Sequence, residues 1–283
     1  MINFNKEILK SYNSLVLEED SHIIIDSDKE IVLYCDFIKS SNYTLEVKDN
    51  VKAKVVELLV LNHNVDIKKT VKCGKNASLE IVSFEYTNGG KKSINVQTYL
   101  LEGSYINNKK VGVYNSLFES SNDTYLNGEY AEVEATNAFV NSCGLIVNIN
   151  ENVHHKVNDT TSLLNNYGIC NNKSTININT NGLVVKDAKR SNIRQKSKGI
   201  LIDLESTISA NPWLQIDEFD CLANHGAGIG AIDEEDLYYL MSRGLTKSNS
   251  EKLIIGGFVN PIYEALPEGE IKDYVIKVVN KYL

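Results

Sequence analysis

Proline is nearly missing from this chain: its 283 residues hold three, Pro212, Pro261 and Pro267. Turns across the first two hundred residues therefore fall to other residues. The 34 asparagines supply them, because asparagine tolerates left-handed backbone angles and hydrogen-bonds its own backbone in turns. Apolar runs are short as well. Leu58-Leu59-Val60-Leu61 is far below a bilayer span. The opening, Met1 to Lys10, has no basic stretch followed by an apolar one, so no export signal is expected and the cytoplasm is the expected compartment. The five cysteines, Cys35, Cys73, Cys143, Cys170 and Cys221, are odd in number and contain no Cys-x-x-Cys pair. They read as free thiols: small buried hydrophobes in the plainest case, reactive or metal-binding groups in the other. There is no HExxH, Walker P-loop, GxGxxG, GxSxG or paired-carboxylate motif. Without a phosphate-binding loop, any nucleotide hydrolysis is expected on a partner. The net charge of −8 disfavours a nucleic-acid partner.

What is present is an ordinary globular composition, 42% hydrophobic and 23% charged, at a length that makes one large domain or two smaller ones. Residues 1–20 carry a helical pattern, with Phe4, Ile8, Leu9 and Tyr12 on one face and Leu15 to Leu17 continuing it. The period then becomes two. Tyr43-x-Leu45-x-Val47, Val51-x-Ala53-x-Val55, Leu79-x-Ile81, Ile94-x-Val96, Val111-x-Val113, Leu145-x-Val147-x-Ile149, Ile176-x-Ile178 and Ile208-x-Ala210 all alternate apolar with polar. The expected turns are Asn88-Gly89-Gly90, Asn107-Asn108, Asn127-Gly128, Asn165-Asn166, Asn171-Asn172 and Asn181-Gly182.

No amphipathic helix separates the strands, which excludes alternating βαβ units. A hairpin-built sandwich or barrel and a solenoid of parallel strands both remain. Asn-Gly at 127 and 181 suits hairpins. The monotony from 40 to 225 suits a solenoid with coils of roughly twenty residues, in which stacked asparagines hydrogen-bond between coils.

After Ile232 the pattern turns helical. Asp233 to Gly244 has an Asp N-cap, an acidic first turn and a glycine stop. Ser248-x-x-Glu251 reads as a capping box for a second helix toward Val259. Ile271, Tyr274, Val275, Val278, Val279 and Tyr282 form the apolar stripe of a third. These helices either pack on their own β-domain or present a docking surface. The expected division is 1–40, an N-terminal helical or edge segment; 41–232, the β core; and 233–283, the helical subdomain.

Candidate chemistry is sparse. His154 and His155 are adjacent, so on a strand they face opposite sides. The densest stretch is Cys221-Leu-Ala-Asn-His-Gly-Ala-Gly-Ile-Gly-Ala-Ile232, in which a cysteine and a histidine four apart precede small residues that allow close backbone approach.

From Ala188 to Leu266 the chain resembles the SufB/SufD family, scaffold proteins of SUF iron–sulfur cluster assembly. Ala188-Lys-Arg-Ser-Asn-Ile-Arg-Gln195 is similar to the family's AQKTDAxQ, Gly199-Ile-Leu-Ile-Asp to NLLLS and Pro212-Trp-Leu-Gln-Ile to PQLEI. Asn224-His-Gly-Ala-Gly-Ile-Gly-Ala-Ile-Asp-Glu-Glu-Asp-Leu-Tyr-Tyr-Leu-Met-Ser-Arg-Gly244 is similar to SHGATVGxLDEExLFYLxSRG. The resemblance implies a mainly β fold, a right-handed parallel β-helix with a short N-terminal helix and C-terminal helices. Those helices would dock a SufC-like ABC ATPase through Asp233, Glu234, Leu237, Tyr238, Arg243 and Phe258.

Two departures bear on the site. The cysteine of the SufB branch falls at Ser206, and a cysteine common in SufD-like sequences falls at Ala223, while His225 is retained. Cys221, two residues before Ala223, is the candidate replacement, with His225 as a metal partner and Cys170 and Cys143 as further ligands of a transient iron–sulfur cluster. The expectation is a minimal scaffold, short for the family, acting as a homodimer. The alternatives are a SufD-like structural subunit paired with a separate SufB-like partner, and an unrelated β-helix carbohydrate-active or binding protein.

Overall fold

The computed structural model describes residues 4–283. A short 3-10 helix, Lys6–Ser11, opens the described chain, with the Asn5 side chain accepting a hydrogen bond from the Glu7 amide. Leu15 to Leu17 do not continue it. They belong to strand β1, so the strands begin well before residue 41. The cause is exposure: Leu15 and Val16 are half-exposed, and only Leu17 is buried.

Fifteen strands follow in chain order. They are β1 (Ser14–Leu17), β2 (Ser21–Ile25), β3 (Lys29–Cys35), β4 (Ser41–Val47), β5 (Lys52–Leu61), β6 (Val65–Cys73), β7 (Ser78–Leu100) and β8 (Tyr105–Leu126). Then come β9 (Glu132–Asn141), β10 (Ile146–His155), β11 (Thr161–Cys170), β12 (Thr175–Val184), β13 (Ser191–Leu201), β14 (Thr207–Ile216) and β15 (Cys221–Ala231). Every strand pairing among the described residues is parallel, which removes the hairpin architectures.

The pairings form two ladders. One runs β1-β3-β5-β7-β8-β9-β11-β13-β15, and the other takes β2, β4, β6, the second halves of β7 and β8, then β10, β12 and β14. The result is a β-solenoid of about 8 turns with C-terminal helices. The coils are longer than the twenty residues expected: stacked partners lie 26 residues apart at Ser83 and Glu57, 29 at Asn137 and Asn166, and 31 at Arg190 and Asp159.

Asparagine has two jobs here. Asn50, Asn76 and Asn172 hold left-handed corners, with φ of 60°, 52° and 58°. Asn107-Asn108, Asn165-Asn166 and Asn181-Gly182 are not turns but lie inside strands. Along the outward face the amides of Asn177, Asn179 and Asn181 donate to Asn148, Asn150 and Asn152 of the coil before, at 2.7–2.9 Å. Asn88-Gly89-Gly90 marks where β7 bends from one ladder to the other, with both glycines at positive φ.

Two large apolar cores result, beside a small cluster of Val184, Ala188 and Ile193. The first fills the solenoid, one layer per coil; Val47, Cys73, Leu100 and Leu126 stack in one such column, which His155 and Val184 continue. The second lies outside, where α2 (Lys247–Tyr263) and α3 (Glu270–Tyr282) pack against Val56, Leu58, Val60, Phe84 and Val113. This explains the apolar run at Leu58 to Leu61: β5 is covered on both faces. The stripe read for the third helix is the buried face of α3, Ile271, Tyr274, Val275, Val278 and Val279, worth about 1.5–3 kcal/mol for each large aliphatic group buried. The second helix starts at Thr246, whose hydroxyl accepts from the Asn249 amide, rather than at a Ser248 capping box.

Candidate functional site: the open last coil

The solenoid ends on two unpaired edges. Among the described residues β14 pairs only with β12 and β15 only with β13. An unpaired edge presents free backbone N–H and C=O groups, which natural proteins cover or pair. Here the edge is also apolar. Leu222 is 69% exposed and Trp213 53%, and Phe219, in the connection between the two strands, is fully exposed.

Cys221 opens β15, half-buried, its thiol donating to the Glu218 carbonyl at 3.2 Å. Burial pushes that thiol's pKa up, and the charges of Glu218 and Asp220 add to the rise. In register, Cys221, Ala223, His225 and Ala227 sit over Ser191, Ile193, Gln195 and Ser197 of β13, and alternation puts all four on one face. His225 is exposed. The intervening Gly226, Gly228 and Gly230 have open space around them: a Cβ on any of the three would meet nothing within 4 Å in this chain.

The structure does not gather the four candidate ligands. Cys221 and His225 are four residues apart on one regular strand, about 13 Å, wider than a cysteine and a histidine can reach to one ion. Cys170 ends β11 and pairs with Leu201, which pairs with Ala231, the far end of β15 from Cys221. That places Cys170 and Cys221 about 33 Å apart along the strands. Cys143 lies at the Cys170 end, its thiol donating to the Tyr114 carbonyl at 3.1 Å. Burial raises the Cys170 thiol's pKa to about 11, and the Ser206 hydroxyl within hydrogen-bond reach opposes the rise. Cys170 is thus the neighbour of the position where the SufB branch carries cysteine. Among the described residues no group of three or more His, Cys, Asp or Glu side chains is arranged to hold a metal ion.

The helical end differs from both. Asp233 caps α1 (Glu234–Ser242), accepting from the Glu235 amide at 2.8 Å, and α1 buries no residue at all. Glu234, Tyr238 and Arg243 are exposed, Leu237 is half-buried, and the Arg243 guanidinium lies over the Tyr239 ring. Phe258 is turned the other way, onto its own solenoid, 5.1 Å from the Tyr167 ring and under the Lys198 ammonium. It seats α2 on the solenoid.

One feature was missed by sequence reasoning: six charged side chains are buried, Glu57, Lys69, Glu85, Lys110 and Glu151 inside the solenoid and Lys92 at the bend of β7, where its ammonium donates to the Asn88 and Gly89 carbonyls. Its signal was available, since Glu151 falls on the inward beat between Ile149 and Val153.

Together these features describe a parallel β-solenoid closed by helices at one flank and left open at its last rung. The chain belongs to the SufBD core-domain family: the model for "SUF system FeS cluster assembly, SufBD core domain" matches residues 19–258. It is similar to the iron–sulfur cluster assembly protein SufD of Bacillus subtilis, 34% identical over 115 residues, 41% of this chain and 26% of that protein. To the SufD of Escherichia coli it is 26% identical over 255 residues, 84% of this chain and 58% of that protein. A SufBD family protein of Pyrococcus horikoshii is 36% identical over 90 residues, 31% of this chain and 20% of that protein. The chain therefore spans between a fifth and three fifths of the length of these relatives. Family membership removes the unrelated carbohydrate-active reading. No helix among the described residues is long and apolar enough to cross a membrane.

Proposed function

We propose that this chain is a scaffold subunit of a SUF-type iron–sulfur cluster assembly complex, non-catalytic itself and working with a SufC-like ABC ATPase. The observation that carries the reading is the open last coil, which holds Cys221 and His225 on an unpaired, apolar edge inside the stretch matched by the family model. A second solenoid subunit pairs there, and the small residues of β15 allow its backbone to come close. Since one chain cannot close a ligand set around Cys221 and His225, the transient cluster is held between two subunits, each giving that pair. In the homodimer both edges are alike, as a two-fold interface requires. The exposed α1, with Asp233, Glu234, Leu237, Tyr238 and Arg243, docks the ATPase in the cytoplasm.

Anaerobic co-expression with the cognate ATPase, followed by iron and sulfide analysis, tests this. The expected result is a stable complex whose iron and sulfide fall together in Cys221→Ser and in His225→Ala. Wild-type cluster content in both variants would sink the ligand assignment.

One observation favours a second reading. Both SufD relatives are named as such, and the four candidate ligands are dispersed. A SufD-like structural subunit would then pair with a distinct SufB-like chain and carry no cluster of its own. Co-expression with that chain separates the two: heterodimers in place of homodimers support the second.

A further inference from the structure

A polar file runs through the otherwise apolar interior. In ladder register Glu57, Ser83, Lys110, Asn137, Asn166 and Ser197 succeed one another, one per coil, and the last stands beside Ala227 of the open strand β15. Facing it across the interior, Lys69, Val96, Asn122, Glu151 and Thr180 do the same. Two bonds cross the gap, from Lys69 to Glu57 at 2.6 Å and from Asn166 to the Thr180 hydroxyl at 3.1 Å, and two run along a file from coil to coil, from Asn122 to Glu151 at 2.6 Å and from Asn137 to Asn166 at 2.9 Å.

At the closed end of this file is a cavity of about 60 Å³, lined among others by Glu57, Glu85, Glu151, Lys69 and Lys110. At about 10–15 Å³ per water that is room for about four to six molecules. Three carboxylates meet two ammonium groups. Glu57 is fully served as an anion: Lys69, the Ser83 hydroxyl at 3.0 Å and the Tyr43 hydroxyl at 3.4 Å all donate to it. Glu85 and Glu151 must share Lys110, whose nitrogen is 3.7 Å from one and 3.9 Å from the other. One negative charge is left over in a site from which the protein excludes bulk water, where an uncompensated charge is costly.

The rest of the file supplies a way out. Asn137 Oδ1, Ser197 Oγ, both polar atoms of the Gln195 amide and Ser120 Oγ are buried with no partner in the protein. Buried polar groups of this kind are satisfied by ordered water. They are strung from the coil of the chamber, where Ser120 is two residues from Asn122, to the coil under β15, where Gln195 pairs with His225.

We propose that the chamber is a proton-binding site: the surplus carboxylate, Glu151, takes one proton from solvent to become a neutral acid, and buried waters along the Asn137–Asn166–Ser197 file connect it to the open coil. The groups facing Glu151 are consistent with this. Lys110 and Asn122 stabilise its anion from β8, Glu85 on β7 and Asp123 on β8 oppose it, and Thr180 on β12 is neutral. Burial, the strongest influence, raises its pKa from the ordinary carboxylate value. The site is independent of any metal or ATPase partner.

Infrared spectroscopy of the whole purified chain tests the proposal. The expected result at neutral pH is a carboxylic-acid carbonyl band that is lost in Glu151→Gln, moves to lower pH in Glu85→Gln because Lys110 then serves Glu151 alone, and shifts in D2O more slowly in an Asn166→Leu/Ser197→Val variant than in the wild type. Circular dichroism confirms that each variant keeps the β fold. Absence of the band, its loss in Glu85→Gln alone, or D2O exchange as fast with the file plugged would overturn the proposal. So would a band that appears only when sodium and potassium are replaced by choline, since a metal cation would then be the counter-charge.

Discussion

Lys110 and His225 stand on the same ladder, yet the coils that hold them treat polar side chains in opposite ways. Around Lys110 every charge is sealed, Lys110 being 4% exposed and Glu85 6%, and each has to be matched from inside. Around His225 nothing among the described residues covers the strand, and polar and apolar side chains alike reach solvent. The backbone register is the same in both. What differs is the presence of a next coil and of the outer helices, so a coil's role is set by its neighbours as much as by its own sequence.

The largest test of that contrast removes a charge from each coil. Lys110→Met leaves Glu85 and Glu151 buried without their shared cation and is expected to cost about 3–5 kcal/mol. Lys196→Met, on the exposed outward face of β13, is expected to stay within about 0.5 kcal/mol. Urea unfolding midpoints of the two variants measure the difference.

One histidine sharpens it next. His155 is buried in an aliphatic column, its ring nitrogens bonded to the Thr160 and Ser162 hydroxyls at 2.8 and 2.9 Å. Burial, helped by the nearby His154, depresses its pKa to about 4. The unfolded chain takes up a proton near 6.5 that the folded chain refuses, so stability is full above that pH and falls as pH drops toward 4. The loss amounts to about 3 kcal/mol for this one group. His155→Gln should flatten that part of the pH profile of thermal unfolding.

Glycine gives a smaller contrast. At Gly128 a Cβ would run into the backbone of Leu101 and Glu102 in the coil below, whereas Gly228 has open space. Gly128→Ala is expected to cost about 1–3 kcal/mol by overpacking, and Gly228→Ala less than about 0.5 kcal/mol. Thermal melts of the isolated chain read both.

How much of this was legible follows from the same physics. Alternation at Tyr43-x-Leu45-x-Val47 or Ile176-x-Ile178 showed the strands because one face is buried and the other wet. The α3 stripe was legible for the same reason. Leu15 to Leu17 misled because three apolar residues fit either period, and exposure of two of them is decided by distant parts of the chain. Parallel pairing was not readable at all from Asn127-Gly128 or Asn181-Gly182, dipeptides that serve a hairpin and a coil equally. At the site, the His225 block was visible through family resemblance, yet the distance from Cys221 to Cys170 depends on register, which no local pattern carries.

The least perturbing change bears on what the open edge is for. Leu222 is largely in water, so Leu222→Asp is expected to change the stability of the isolated chain by no more than about 0.5 kcal/mol. If the edge pairs with a second solenoid, that same substitution sets a carboxylate inside the contact, where a charge must be desolvated without a partner. Association should then fail while the fold survives, a combination that damage to the interior cannot produce. Sedimentation of wild type and variant across a concentration series reads it directly: a wild-type dimer and a monomeric, fully folded variant are expected. A variant that dimerises as tightly as the wild type would show that β15 stays open to solvent in the assembly, and that the pairing surface lies elsewhere.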